Sequence, residues 1–158
     1  MKKSIDRILE IILIVFMSLM VINVTWQVLS RFLAQWGVIA AASSASEELA
    51  RFFLVWLGLM GAAYATGKNM HLAVDLLPNS LAGRSKRNLN MVIHGVVFVF
   101  AFVVMTLGGF FLTKLTFELK QTSPVLFMPL GYLYMAVPVS GLITAWYSLA
   151  NILEVKNS

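Results

Sequence analysis

The chain has 158 residues, of which 59% are hydrophobic and 12% charged, with a mean hydropathy of +0.84. An ordinary soluble domain carries about a quarter charged residues, so this much apolar side chain excludes a water-soluble fold. The absence of cysteine excludes disulfides, thiolate zinc sites, iron–sulfur clusters and thiol catalysis. The net charge of +5 comes from Lys and Arg at the ends of apolar runs, not from one basic face, which points to membrane orientation and away from nucleic acid.

A hydrocarbon core about 30 Å thick needs roughly 20 apolar residues in a helix. The first such run predicts helix 1 over residues 8–30, closed by Arg31. It is too long for the core of a signal peptide, carries Asp6 and Glu10 in its leading segment, and has no small-residue cleavage site at its end, so it reads as a retained span. Near its far end Asn23, Gln27, Ser30 and Arg31 share one side. Such a polar seam either lines a substrate path or hydrogen-bonds a neighbouring helix, and the second is the commoner use of intramembrane Asn and Gln.

Trp36 stands at interfacial depth, and Ser44 three residues before Glu47 has the spacing of a capping box, which starts helix 2 over residues 45–66. Glu47 and Glu48 precede Arg51 by four and three residues, an order that favours an ion pair and places negative charge at a positive helix terminus. This is either a well-capped helix entrance or a docking point for a partner. Further along, Gly58 with Ala62 and Gly61 with Ala65 make a ridge of small side chains that implies close helix contact, with Trp56 and Tyr64 to give it bulk. Gly67-Lys68-Asn69 stops the helix, and residues 70–88 read as a loop with an interfacial helical turn over His71–Leu77, where His71 and Asp75 form a local pair.

Helix 3 follows over residues 89–113, with Lys114, Glu118 and Lys120 as its polar exit. Helix 4 is expected over residues 129–150, opened by Pro129, bent by Pro138, and carrying a seam of Ser140, Thr144 and Ser148 for contact with other helices. The fold class is thus all-α integral membrane, a single domain of four spans. Lys2, Lys3, Arg7, Lys68, Arg84, Lys86, Arg87 and Lys156 outnumber Arg31, Arg51, Lys114 and Lys120, which places both termini in the cytoplasm.

No carboxylate occupies the middle of a span, which argues against proton coupling by this chain alone and against a self-sufficient dimeric four-helix transporter. His94 lies in helix 3 and His71 in a loop, with no spacing that fixes a haem between them as a respiratory membrane anchor would need. No catalytic constellation or cofactor motif is present, so the expectation is a chain that is not an enzyme.

The stretch from Ser46 through Glu48, Arg51, Trp56 and Gly61 to Ala65, continued by His71 to Leu77, resembles the signature of the small membrane subunit of tripartite ATP-independent periplasmic (TRAP) transporters. Gln27 to Phe32 and Pro124 through Pro138 to Gly141 extend the likeness over nearly the whole chain. The resemblance implies a bacterial inner-membrane subunit that accompanies a large multi-helix subunit and a periplasmic substrate-binding protein. Such systems import carboxylates, C4-dicarboxylates and sialic acids among them, on a sodium gradient. Substrate and sodium ions are then held by the large subunit, and this chain acts as scaffold. The positions that match are Glu48, Arg51, Trp56, Gly61, His71 and Asp75.

Overall fold

The computed structural model describes residues 2–41, 43–68 and 84–157. Four of its helical stretches are long and apolar enough to cross a membrane, which makes the chain a multi-pass membrane protein. Helix α1 spans Lys2–Gln35, longer at both ends than its apolar run, because nothing breaks the helix before Gly37. Gly37 takes φ +73°, its N–H bonds the Ala34 carbonyl, and the Val38 N–H reaches back to Leu33, the paired bonds of a left-handed C-terminal cap.

Helix α2, Ser44–Gly67, is capped one residue earlier than its capping-box spacing suggested: Ser43, not Ser44, is the N-cap, and its Oγ accepts from the Ser46 N–H at 3.4 Å. Ser43 has the extended backbone a cap requires, whereas Ser44 is already inside the helix. The third span is continuous but has three parts, α3 (Arg84–Val99), a π-helix (Phe100–Gly108) and α4 (Gly109–Glu118). In the π-helix the Thr106 hydroxyl donates to the Ala101 carbonyl five residues back, matching the wider turn. The span runs five residues past the expected residue 113, since Lys114 and Glu118 pair along the helix at 3.7 Å instead of ending it. It closes at Lys120, which adopts φ +48° with Lys120 N to Phe117 O and Gln121 N to Thr116 O bonds.

Pro129 does not open the last span. It pairs with Thr122 in an isolated bridge, and a single turn, α5 (Gly131–Tyr134), comes before α6 (Ala136–Asn157). Met135 stands between the two, three residues before Pro138. Proline lacks the N–H that would bond Tyr134, so the ladder parts just ahead of it and Pro138 sits in the first turn of α6, where a missing donor is tolerated.

α1 packs along α2, α2 along α6, and α6 along α3 and the π-helix, so the spans stand in a row with α2 and α6 inside. The division follows composition: the two outer spans are the most apolar, and 44% of the residues in the α6 membrane segment are buried against 6% in α1. Exposed Ile8, Ile11, Ile14 and Ile22 on α1, like Val96, Val103 and Phe110 on the third span, belong in lipid, where their exposure carries no hydrophobic penalty. Contact between spans is close because glycines allow it. A Cβ on Gly141 would lie 2.7 Å from Met105 Cβ and 2.9 Å from the Thr106 backbone nitrogen, and one on Gly67 would lie 2.7 Å from the Tyr147 ring. Between α1 and α2 the filling is aromatic, Phe16 meeting Phe53 and Trp56 edge-on at 5.8 and 6.3 Å between centroids.

Candidate subunit interface

The polar side chains seen to bond one span to another gather at the two ends of the spans. At the end nearer Lys2, three spans are tied by one cluster. Tyr64 of α2 donates to Glu10 of α1 at 2.5 Å, Tyr147 of α6 donates to Asp6 of α1 at 2.5 Å, and the Lys68 ammonium stands 3.1 Å from Asp6 and 3.8 Å from Glu10. The hydrogen bond to Asp6 raises the Lys68 pKa above the ordinary lysine value, with the Coulomb fields of Asp6, Tyr64 and Glu10 acting in the same direction. Just inside, the fully buried Asn151 donates to the Thr66 carbonyl at 3.1 Å, joining α6 to α2.

At the opposite end Asn23 donates to the Ser46 carbonyl at 2.7 Å, and the Ser43 N–H meets the Ser30 hydroxyl at 3.3 Å. Glu47 lies 2.7 Å from Arg51 and 3.8 Å from Arg31. The polar side of α1 therefore ties it to the start of α2, through Asn23, Ser30 and Arg31, while Gln27 is half-buried beside them.

The two neighbouring glutamates do different things. Glu48 turns away from Arg51 as a bonding partner and reaches the 121–130 connection, where its Oε2 accepts from the Ser123 hydroxyl and, at 2.9 Å, from the Leu126 N–H. Local spacing could not reveal this, because the partners lie 75 and 78 residues away. Between Glu48, Arg51, Phe52 and the connection lies a cleft of about 220 Å³, walled by Leu126, Met128, Tyr132 and Leu133.

Among the described residues, no neighbouring span closes on the glycines of the α2 small-residue ridge. Gly58 and Ala62 are exposed, Gly61 and Ala65 half-buried, and a Cβ placed on Gly58 or Gly61 would meet nothing within 4 Å. Arg51 and Leu54 continue the exposed side towards the start of the helix. Trp56 and Tyr64, expected to add bulk to this ridge, instead turn to α1, Trp56 against Phe16 and Tyr64 onto Glu10. Ser140, Thr144 and Ser148 are buried on α6, with Ser140 donating to the Val137 carbonyl at 2.9 Å. His94 is buried in α3 and His71 and Asp75 lie outside the described residues.

Sequence reasoning overlooked Asn151, Tyr147, Asp6 and Glu10 as binding elements. A signal for the first two was present, since Ser140, Thr144, Tyr147, Ser148 and Asn151 follow helical spacing down one side of α6. Among the described residues no carboxylate lies at mid-span; Asp6, Glu10, Glu47 and Glu48 each reach another element of the chain, and Glu118 pairs with Lys114 along its own helix. Such an arrangement can brace helices and present a surface.

Residues 20–156 match the family model described as "Tripartite ATP-independent periplasmic transporters, DctQ component". The chain is 30% identical over 94 residues to the C4-dicarboxylate TRAP transporter small permease protein DctQ of Rhodobacter capsulatus, covering 60% of this chain and 41% of that one. It is 26% identical over 141 residues to a TRAP transporter small permease protein of Haemophilus influenzae, covering 89% and 83%. It is 29% identical over 132 residues to the isethionate TRAP transporter permease protein DctMQ of Oleidesulfovibrio alaskensis, covering 81% of this chain but only 20% of that longer protein. With four spans and a match over residues 20–156, the chain belongs to the DctQ family, the small membrane subunits of the tripartite ATP-independent periplasmic transporters.

Proposed function

We propose that this chain is the scaffold of a sodium-coupled importer of small organic acids in a bacterial inner membrane, with its termini in the cytoplasm. It binds the large transporter subunit through the open face of α2 and moves no solute itself. The observation that carries this reading is the pair Gly58 and Gly61: they lie one turn apart in a membrane-spanning helix with nothing among the described residues within 4 Å of an added Cβ, an openness shared by the single Gly95 of the third span, while Gly67, Gly109, Gly131 and Gly141 are all filled by neighbours. Small residues let helix backbones approach closely in lipid, where packing and interhelical hydrogen bonds replace the hydrophobic drive. An open pair therefore suits a helix from another subunit. The 20% coverage of the longer DctMQ protein supports a large partner, since there the matching segment is one part of a single permease chain.

The substrates named for the relatives, C4-dicarboxylate and isethionate, are small anions, which supports an anionic substrate here. Sodium and substrate then reside on the large subunit, and a periplasmic binding protein delivers the substrate to the membrane pair. Arg31, Glu47 and Arg51 lie at the end that faces the periplasm in this orientation and are exposed enough to meet that protein. The test is co-purification of a tagged large subunit with Gly61→Leu. Recovery should fall at least several-fold, with the Tm of the isolated variant unchanged; undiminished recovery would remove the α2 face as the contact.

A further inference from the structure

We propose that the connection from Gln121 to Leu130 is a membrane anchor, immersed in the lipid leaflet at the end of the row away from Lys2, with Phe127 as its inserted side chain. The stretch contains no charged residue, although it lies outside any helix. It leaves one span after Glu118 and enters the next at Gly131. Gly131 sits against the Phe117 ring and Thr122 pairs with Pro129, so the connection folds back onto the end of its own span and stays at the membrane boundary.

Irregular backbone enters an apolar medium only if its polar groups are satisfied internally. Here Ser123 N bonds Met128 O, Phe127 N bonds Ser123 O and Leu130 N bonds Gln121 O, while the Leu126 N–H goes to Glu48. The one carboxylate that reaches the connection thus serves its backbone from below instead of facing outward. Phe127 is held at φ +52° with its side chain 80% exposed, and Met128 beside it is also exposed. An aromatic ring held outward by a turn, on an uncharged stretch that follows the exposed Lys120, matches the headgroup-to-acyl boundary where aromatic side chains collect. Trp36, 76% exposed just beyond α1 at the same end of the row, supplies a second ring at that level.

Because the chain has no cysteine, Phe127→Cys gives one attachment point for a nitroxide. In vesicles of phosphatidylethanolamine and phosphatidylglycerol, the label should collide with dissolved oxygen several-fold more often than with a water-soluble nickel chelate. Its preference for oxygen should be smaller than that of a label at the mid-span, lipid-facing Val103, and the same with and without the large subunit. Adding Glu48→Ala should shift it towards nickel access by freeing the backbone. Ready nickel access without that change, protection only when the large subunit is present, or indifference to Glu48→Ala would each overturn the proposal.

Discussion

Gly61 and Gly141 are the same residue type in neighbouring spans and meet different surroundings. Gly141 is closed in by Met105 and Thr106, including a backbone atom that cannot swing aside, whereas Gly61 has open space on its outer side. Gly141→Ala should therefore destabilise the isolated chain by about 1–3 kcal/mol through overpacking, read as a lower Tm in detergent. Gly61→Ala should leave that Tm unchanged. Asn151 is a different case, because its amide is fully buried between α6 and α2. Replacing it with Leu removes an interhelical hydrogen bond of the kind worth about 0.6–1.7 kcal/mol in a membrane, and thermal unfolding should report a loss in that range. Phe127 and Lys120 show what local sequence hides: neither is a usual left-handed residue, yet both take positive φ where a loop must reverse next to a span.

At the scale of elements, the existence and order of the four spans could be read from apolar run length, because the bilayer sets that length directly. Their ends were less legible. α1 and the third span extend beyond their apolar runs, since Arg31, Lys114 and Glu118 pair at the surface of a helix that continues past them. The break before α6 fell at Met135 because Pro138 affects the carbonyl of the preceding turn, an effect that acts four residues back. The Asn23 and Arg31 side of α1 was readable from spacing. Its partners on α2 and the Glu48 link to residues 123–126 were not, being contacts between distant segments. The cluster at the other end went unread because Asp6 and Glu10 look like ordinary flanking charges until Tyr64, Lys68 and Tyr147 converge on them. Its pH behaviour follows from Lys68. Since the folded chain raises that pKa, the stabilisation is fully present below the ordinary lysine value and is lost as pH rises through the raised one. The Tm should thus carry the full, pH-independent contribution of this group between pH 7 and about 9, then fall above about 10.4. Lys68→Met should abolish the alkaline part of that fall that Lys68 causes.

Across the whole molecule, the described spans form a single row braced by polar clusters at both of their ends, a wall with two broad sides. A wall suits a subunit whose work is to hold another protein in place. The proposed orientation can be checked with single cysteines in intact spheroplasts. One at Ser4 or Asn157 should resist an impermeant thiol reagent and one at Ser43 or Gln121 should react, with the reverse pattern contradicting the orientation. The scaffold role is tested most directly by reconstitution into liposomes with an inward sodium gradient. The isolated chain should take up no C4-dicarboxylate, sialic acid or isethionate, and uptake of the system's own substrate should appear only when the large subunit and the loaded binding protein are both added. Uptake by this chain alone at the rate of the complete system would contradict the account and make it a carrier in its own right.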